Sequence, residues 1–287
     1  MKRLEAWLVR LGFGLLGWLR PETASNLGGA LARAIGPWLS VSRVADTNLR
    51  RVWPDLTTPQ RQAVIRDVWE NLGRTVGEMP HVAGLGPTPS GPGWEIEGAE
   101  ILAGISGAVV MFSAHIGNWE VMPRAGVVHG AGLASFYRAA DNKAVDAIIV
   151  GMRRRATDGQ PQFAKGAAGA RAAIAHLRAG GRIGLLADQK MNDGIAAPFF
   201  GRLAMTAPAA ATLALRFDCP LIPGHCIRIG PARFRLRVEP PLAHPATGDR
   251  ARDVAELTAA MNATIERWVR ETPGQWLWLH RRWPKED

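Results

Sequence analysis

The feature that most constrains this chain is a change of pattern across one dense breaker segment. "GLGPTPSGPG", Gly84 to Gly93, crowds glycine and proline too closely for a helix or a central strand. Upstream, to about Val82, the chain reads as helical, with Thr58 as an expected N-cap, Pro59 at the first helical position and apolar residues at Val64, Ile65, Val68, Trp69 and Leu72. Downstream, strand-like runs alternate with helical ones. "GAVVMFSA" and "GLASFYRA" precede helices from about Asn142 to Arg155 and Ala168 to Leu177; then come "RIGLLAD", a helix over Pro208 to Phe217, and the strand candidates "PLIPGHCIRI" and "ARFRLRVE". A long amphipathic helix from about Arg252 to Arg270 precedes an aromatic tail. This order predicts an α/β fold, a mainly parallel central sheet flanked by helices. The expected organisation is an N-terminal helical region over 1–83 and an α/β region over 94–287, packed as one compact unit.

With 287 residues, 47% of them hydrophobic, the chain can bury a substantial core. Its formal charge of +10 calls for a negative partner, and nucleic acid, an anionic lipid surface or an acidic carrier protein would each satisfy it. Cys219 and Cys226 form no CxxC or zinc spacing, so they are expected as buried thiols in a reduced compartment, with no metal site. The middle of the chain has no GxGxxG or GxxxxGK[ST] phosphate cradle. The start, "MKRLEAWLVRLGFGLLGWLR", repeats Leu4, Trp7, Leu8, Leu11, Leu15, Trp18 and Leu19 at helical spacing, with Lys2, Arg3, Arg10 and Arg20 around them. Over about 4–20 this is the pattern of a helix lying in a membrane interface, apolar side in the acyl boundary and cations at anionic headgroups. A helix packed on the protein's own core would show the same spacing.

The chemistry concentrates in "FSAHIGNWEV", Phe112 to Val121. Ala108 to Met111 reads as a buried strand, so His115 emerges at its end, where open α/β sheets place their sites. His115 and Glu120 would lie about 140° apart on one continuous helix. On a strand-to-helix turn, with Gly117 making the bend and Glu120 in the first helical turn, they could meet. Glu120 would then fix one imidazole nitrogen and leave the other as a general base, while N–H groups near Gly117 and Asn118 faced a developing oxyanion. Such a dyad suits removal of a proton from an alcohol attacking a thioester. Taken alone, the same residues also fit a polar strand end and a first-turn carboxylate favoured by the helix dipole.

"HIGNWE" resembles the His-x4-Asp/Glu motif of glycerolipid-type acyltransferases, and its Gly-Asn-Trp interior resembles the lipid A biosynthesis late acyltransferases, the lauroyl and myristoyl transferases of lipopolysaccharide synthesis. Three further blocks follow in order: "FYRAADNKAVD" from Phe136, "ADQKMNDGIAAPFFGRLAMTAPA" from Ala187 and "PGQWLWLHRRW" from Pro273. The resemblance covers Trp94 to the C-terminus closely and the N-terminal helices loosely. It implies a glycerolipid-acyltransferase-like fold and transfer of a fatty acyl chain, of lauroyl type, from acyl carrier protein or coenzyme A to a hydroxyl of a Kdo-lipid A precursor. His115 would be the base and Glu120 its orienting partner. No bound cofactor or metal is expected, the acyl thioester being a substrate. The implied partners are acyl carrier protein, the lipid A precursor and anionic lipids at the cytoplasmic face of the bacterial inner membrane, with no nucleic acid. Alternatives are transfer to a lysophospholipid, aminolipid or glycolipid, or a non-catalytic lipid-binding protein.

Substrate contacts are expected from Asn118, from Arg138 at a strand end and from Arg154 within the run Arg153 to Arg155, while Asp188 and Gln189 after "RIGLLA" are expected to supply site structure or a substrate hydrogen bond. Solvated arginines and turn-capping polar groups are the plainer readings of the same positions. Phe199 and Phe200 could line an acyl channel, but paired aromatics of this kind are more often core, which is the expected place for them. Trp276, Trp278 and Trp283, interleaved with His280, Arg281 and Arg282, hold the ingredients of base stacking but are expected as a packed tail with a basic, membrane-facing rim.

Overall fold

A computed structural model describes residues 2–284; Met1 and residues 285–287, at the outer limits of the two regions expected from the sequence, lie outside it. Four helices come first: α1 (Lys2–Trp18), α2 (Pro21–Ile35), α3 (Ser42–Val52) and α4 (Thr58–Glu78). Strands and helices then alternate through β1 (Gly93–Glu97), α5 (Ala99–Ala103), β2 (Val109–Ser113), α6 (Val121–Val128), β3 (Leu133–Tyr137), α7 (Lys143–Ala156), β4 (Gln162–Ala164), α8 (Ala167–Arg178) and β5 (Arg182–Leu186). A hairpin of β6 (Lys190–Phe199) and β7 (Arg202–Thr206) follows, then α9 (Ala209–Phe217), β8 (Leu221–Gly230), β9 (Arg233–Val238) and α10 (Arg250–Glu271).

Seven strands form one sheet in the order β1-β9-β8-β2-β5-β3-β4. Every neighbouring pair in it is parallel except β8 with β9. The expected α/β fold with a mainly parallel, helix-flanked sheet is what forms. β2 sits at the centre, and all five of its residues are buried because helices cover both faces, which is why "VVMFS" is a continuous apolar run. Val110 and Phe112 face a core shared with Leu49 of α3, Ile65 and Val68 of α4, Ile265 and Trp268 of α10 and the tail tryptophans. Val109 and Met111 face a second core with Val121, Met122 and Leu236. On β9, strict alternation buries Phe234, Leu236 and Val238 and turns Arg235 and Arg237 towards Glu95 and Glu97.

Several elements differ from the sequence reading. The N-cap of α4 is Thr57, not Thr58: Thr57 Oγ1 accepts from the Gln60 N–H while the Gln60 side chain accepts from the Thr57 N–H at 2.8 Å, a reciprocal capping box. β1, β4 and the β6–β7 hairpin form where the sequence pattern shows no clear strand. The tail packs as expected, with Trp276, Trp278 and Trp283 buried, but Arg282 does not join a membrane-facing rim. It is fully buried, donating to Met205 O at 3.0 Å and Thr206 Oγ1 at 2.8 Å and lying 4.8 Å over the ring of Phe199. Burial lowers its pKa to about 10. Phe199 and Phe200 are both buried.

Candidate active site

Parallel strands end on one edge, and the site forms there. β2 and β5 are neighbours in register, with Ser113 opposite Leu186, and two residues beyond each lie His115 and Asp188. The His115 ring donates through Nδ1 to Asp188 Oδ1 at 2.8 Å, and the His115 backbone N–H donates to Oδ2 at 2.9 Å. The Trp276 indole N–H reaches the same Oδ2 at 2.8 Å. Burial alone would raise the Asp188 pKa, but attraction to His115 and its hydrogen bonds outweigh this and hold the carboxyl well below the usual carboxylate range. An ionised Asp188 requires the proton of a neutral His115 to sit on Nδ1, which leaves Nε2 as an acceptor. The His115 side chain keeps 16% of its surface while Asp188 keeps none, so the open end of the dyad is the imidazole.

The loop between His115 and α6 is held by the tail. Gly117 N–H donates to Gln275 O at 3.1 Å, Leu277 N–H donates to His115 O at 3.0 Å, and Ile116 pairs with Trp276 as a bridge. Gly117 adopts φ +58, and a Cβ there would collide with the carbonyl of Cys226 on β8, so only glycine fits. Cys226 is itself buried, its thiol pushed up to about 12 by the loss of solvent.

The expected partnership of His115 with Glu120 is corrected by this geometry. The Glu120 carboxylate accepts from Arg153 Nε at 2.8 Å and Nη2 at 2.6 Å, and from the Trp119 indole at 3.2 Å. Asp188, on the adjacent strand, occupies the place assigned to Glu120. Of the two roles expected for Asp188, site structure and a substrate hydrogen bond, the geometry fits the first: it is 1% exposed and takes three N–H donors from the protein. Asn118 is fully buried: its Nδ2 donates to Glu78 Oε2 at 2.7 Å and its Oδ1 accepts from the Glu120 N–H at 3.1 Å, so it shapes the loop instead of reaching substrate. The Gly117 N–H expected at an oxyanion is occupied by Gln275.

Within the arginine run, Arg153 pairs with Glu120 of the motif and Arg154 is exposed. Arg138 is exposed just past β3, on the same sheet edge but two strands from β2, roughly 10 Å at ordinary strand spacing. Gln189 is exposed next to Asp188. Two further residues join the site without a sequence signal for that role, Trp276 and Trp119, the latter placing its ring edge-on to His115 at 5.0 Å. Among the described residues no cluster of histidine, cysteine or carboxylate side chains is arranged to hold a metal ion.

The model of the family "Bacterial lipid A biosynthesis acyltransferase" matches residues 1–285. The chain belongs to that family. Membership makes it an acyltransferase of lipid A biosynthesis by family, and the family implies an acyl donor and a lipid A precursor as acceptor. No curated sequence matches it closely enough to count as a relative. Among solved structures it is similar to the 1-acyl-sn-glycerophosphate acyltransferase PlsC from Thermotoga maritima, with 12% identity and a TM-score of 0.43 over 96% of this chain and 99% of that one.

Proposed function

We propose that this acyltransferase moves a fatty acyl chain from acyl carrier protein to a hydroxyl of a Kdo-bearing lipid A precursor, with His115 as general base. The observation that carries this is the His115–Asp188 contact, which leaves Nε2 facing out of the sheet edge. Nε2 takes the proton of the acceptor hydroxyl as its oxygen attacks the thioester carbonyl. The C–O bond forms, the C–S bond breaks, and the departing thiolate recovers the proton from the imidazolium. Asp188 stabilises that imidazolium in the manner of the third member of a hydrolase triad. Glu120 holds Arg153 through Nε and Nη2, which leaves Nη1 to meet an oxygen of the thioester or of an acceptor phosphate.

Attachment to the cytoplasmic face of the inner membrane is part of the same reading. α1 buries only Ala6, while Leu4, Trp7, Leu8, Leu11, Leu15 and Trp18 remain exposed, Trp18 at 89%. Leu27, Leu31 and Ile35 of α2 and Trp38 extend this apolar exposure. No helix among the described residues is long and apolar enough to cross a membrane, so α1 is proposed to lie in the interface, Lys2, Arg3, Arg10 and Arg20 at anionic headgroups. α1 packs on α7, where Asn142 Nδ2 donates to Lys2 O at 2.8 Å and Glu5 at 2.9 Å, and α7 carries Arg153. An acceptor lipid would therefore meet the site close to the bilayer. The charge of +10 suits both an acidic carrier protein and anionic lipid.

The test is transfer of radiolabelled acyl groups from a panel of acyl carrier protein and coenzyme A thioesters to purified Kdo-bearing tetraacyl precursor. Product from wild type that is lost in His115→Ala supports the reading, and the best donor, expected to be lauroyl, reports chain length. Folded protein that makes no product from any donor would move the acceptor to another lipid.

A further inference from the structure

Behind the loop that carries His115 lies a second buried ion pair that the proposed chemistry does not use. Glu78, the last residue of α4, is fully buried and accepts from Ser25 Oγ at 2.6 Å, Asn118 Nδ2 at 2.7 Å, the Ala232 N–H at 3.1 Å and Arg228 Nη1. Arg228 continues the network, donating through Nε to Asn71 Oδ1 at 2.8 Å and through Nη2 to Thr75 Oγ1 at 3.1 Å. Asn71 and Thr75 then donate to the Gly117 carbonyl at 2.8 and 3.2 Å. Three side chains of α4 thus grip two consecutive loop residues, Gly117 by its carbonyl and Asn118 by its amide.

A buried ion pair is a poor stability device compared with apolar packing of the same volume, and its best-attested use is to fix one arrangement among several. Here the arrangement is the orientation of the Asn118 amide. A carboxylate at position 78 can only accept, so it draws Nδ2 towards itself and turns Oδ1 towards the Glu120 N–H at 3.1 Å. That bond sets the backbone of Glu120 at the start of α6 and aims its carboxylate at Arg153. Resting on the acyltransferase reading of this site, we infer that Glu78 is a positioning residue, which acts through Asn118 to hold the Glu120–Arg153 pair, itself bonded to the Trp119 ring that lies edge-on to His115.

Exchanging the polarity of the 78–118 contact provides the test. In Glu78→Gln the oxygen of the new amide stays with the donors of Ser25, Arg228 and Ala232, so its nitrogen presents a donor to Asn118. Asn118 must then turn over and point its own donor at the Glu120 N–H. With lauroyl-acyl carrier protein and the Kdo-bearing tetraacyl precursor, kcat is expected to fall by about 10- to 100-fold, the scale for small misplacements of a reacting group, with the acceptor KM little changed. Glu78→Gln combined with Asn118→Asp restores the match, because the carboxylate introduced at position 118 accepts both from the amide introduced at position 78 and from the Glu120 N–H, and kcat is expected to return to within about threefold of wild type. Ser25→Ala removes another donor from the same carboxylate without touching Asn118 and is expected to keep wild-type kcat. Folded Glu78→Gln with wild-type kcat, or a folded double variant that stays as slow as the single one, would overturn the inference. Should Glu78→Gln not fold, Asn118→Ala breaks the same link while leaving the Glu78–Arg228 pair intact, and wild-type kcat there overturns it equally. His115→Ala is run alongside: normal turnover in that variant sinks the reading of the site, whereas its inactivity beside unaffected Glu78 and Asn118 variants sinks this inference alone.

Discussion

At the scale of single residues, two carboxylates compete for one role, and the structure separates them by what each touches. Asp188 bonds His115 twice, whereas Glu120 bonds Arg153 and Trp119. Asp188→Asn allows an amide donor to face Nδ1 and favours the tautomer with its proton on Nε2, where the base is needed. Turnover is expected to drop by about 10²- to 10⁴-fold with folding retained. Glu120→Gln keeps an acceptor for Arg153 and is expected to be the milder change. Steady-state kinetics on the two variants decides the matter, since the opposite ranking would return the orienting role to Glu120. Gly117→Ala puts a side chain at φ +58 against the Cys226 carbonyl, and thermal unfolding should show a loss of at least about 1 to 2 kcal/mol.

His115 was legible because a buried strand runs straight into it. The partner was not, since Asp188 lies 73 residues away and only strand order brings the two together. A signal was nevertheless present: "FSAH" and "LLAD" each carry an alanine and then a polar group past a strand end, and parallel neighbours in register place those polar groups side by side. Arg153 was hidden by its neighbours, because three consecutive arginines on α7 differ only in the direction helical phase gives them, and phase depends on where the helix starts.

At the scale of elements, long periodic segments were legible and short ones were not. α7, α8, α9 and α10 form within a few residues of their expected limits because each carries an amphipathic pattern. β4 has only three residues, and β6 carries "MNDG", whose polar and glycine residues hide a strand that bulges there. α1 is legible as a helix, but spacing alone could not say whether its apolar side faces core or membrane. The structure leaves that side bare. Replacing Trp7, Leu11 and Trp18 together by serine is therefore expected to reduce binding to vesicles containing anionic phospholipid, in a sedimentation assay, without lowering the unfolding temperature by more than a few degrees. Removing three core residues would cost about 2 to 5 kcal/mol each, so a collapse of stability would show instead that the apolar side of α1 is part of the core.

At the scale of the whole molecule, the N-terminal helices and the sheet share one core, so groups buried far from the site govern stability as a unit. His225 on β8 stacks on Trp268 at 4.3 Å, is 1% exposed, and neither ring nitrogen has a hydrogen-bond partner among the described residues. Burial lowers its pKa to about 3, against the opposing pull of Glu239. Burial also lowers that of His280, whose ring packs against Trp276 at 5.3 Å. In the unfolded chain both return to the ordinary value near 6.5. As pH falls below about 6.5 the unfolded state binds protons that the folded state refuses, so stability drops, by at most about 1.4 kcal/mol per pH unit for each histidine. Asp188 acts in the same direction lower down: its folded pKa is depressed, so its contribution is present above the ordinary carboxylate pKa and is lost as pH falls beneath it. Urea midpoints measured from pH 7 to pH 4 are expected to decline steadily in wild type and less steeply in His225→Phe, which replaces two unpartnered polar atoms with an apolar ring against Trp268. Identical slopes for the two proteins would mean that His225 does not titrate between the folded and unfolded states, and that the acid sensitivity of the fold over this range lies with His280 and the growing positive charge.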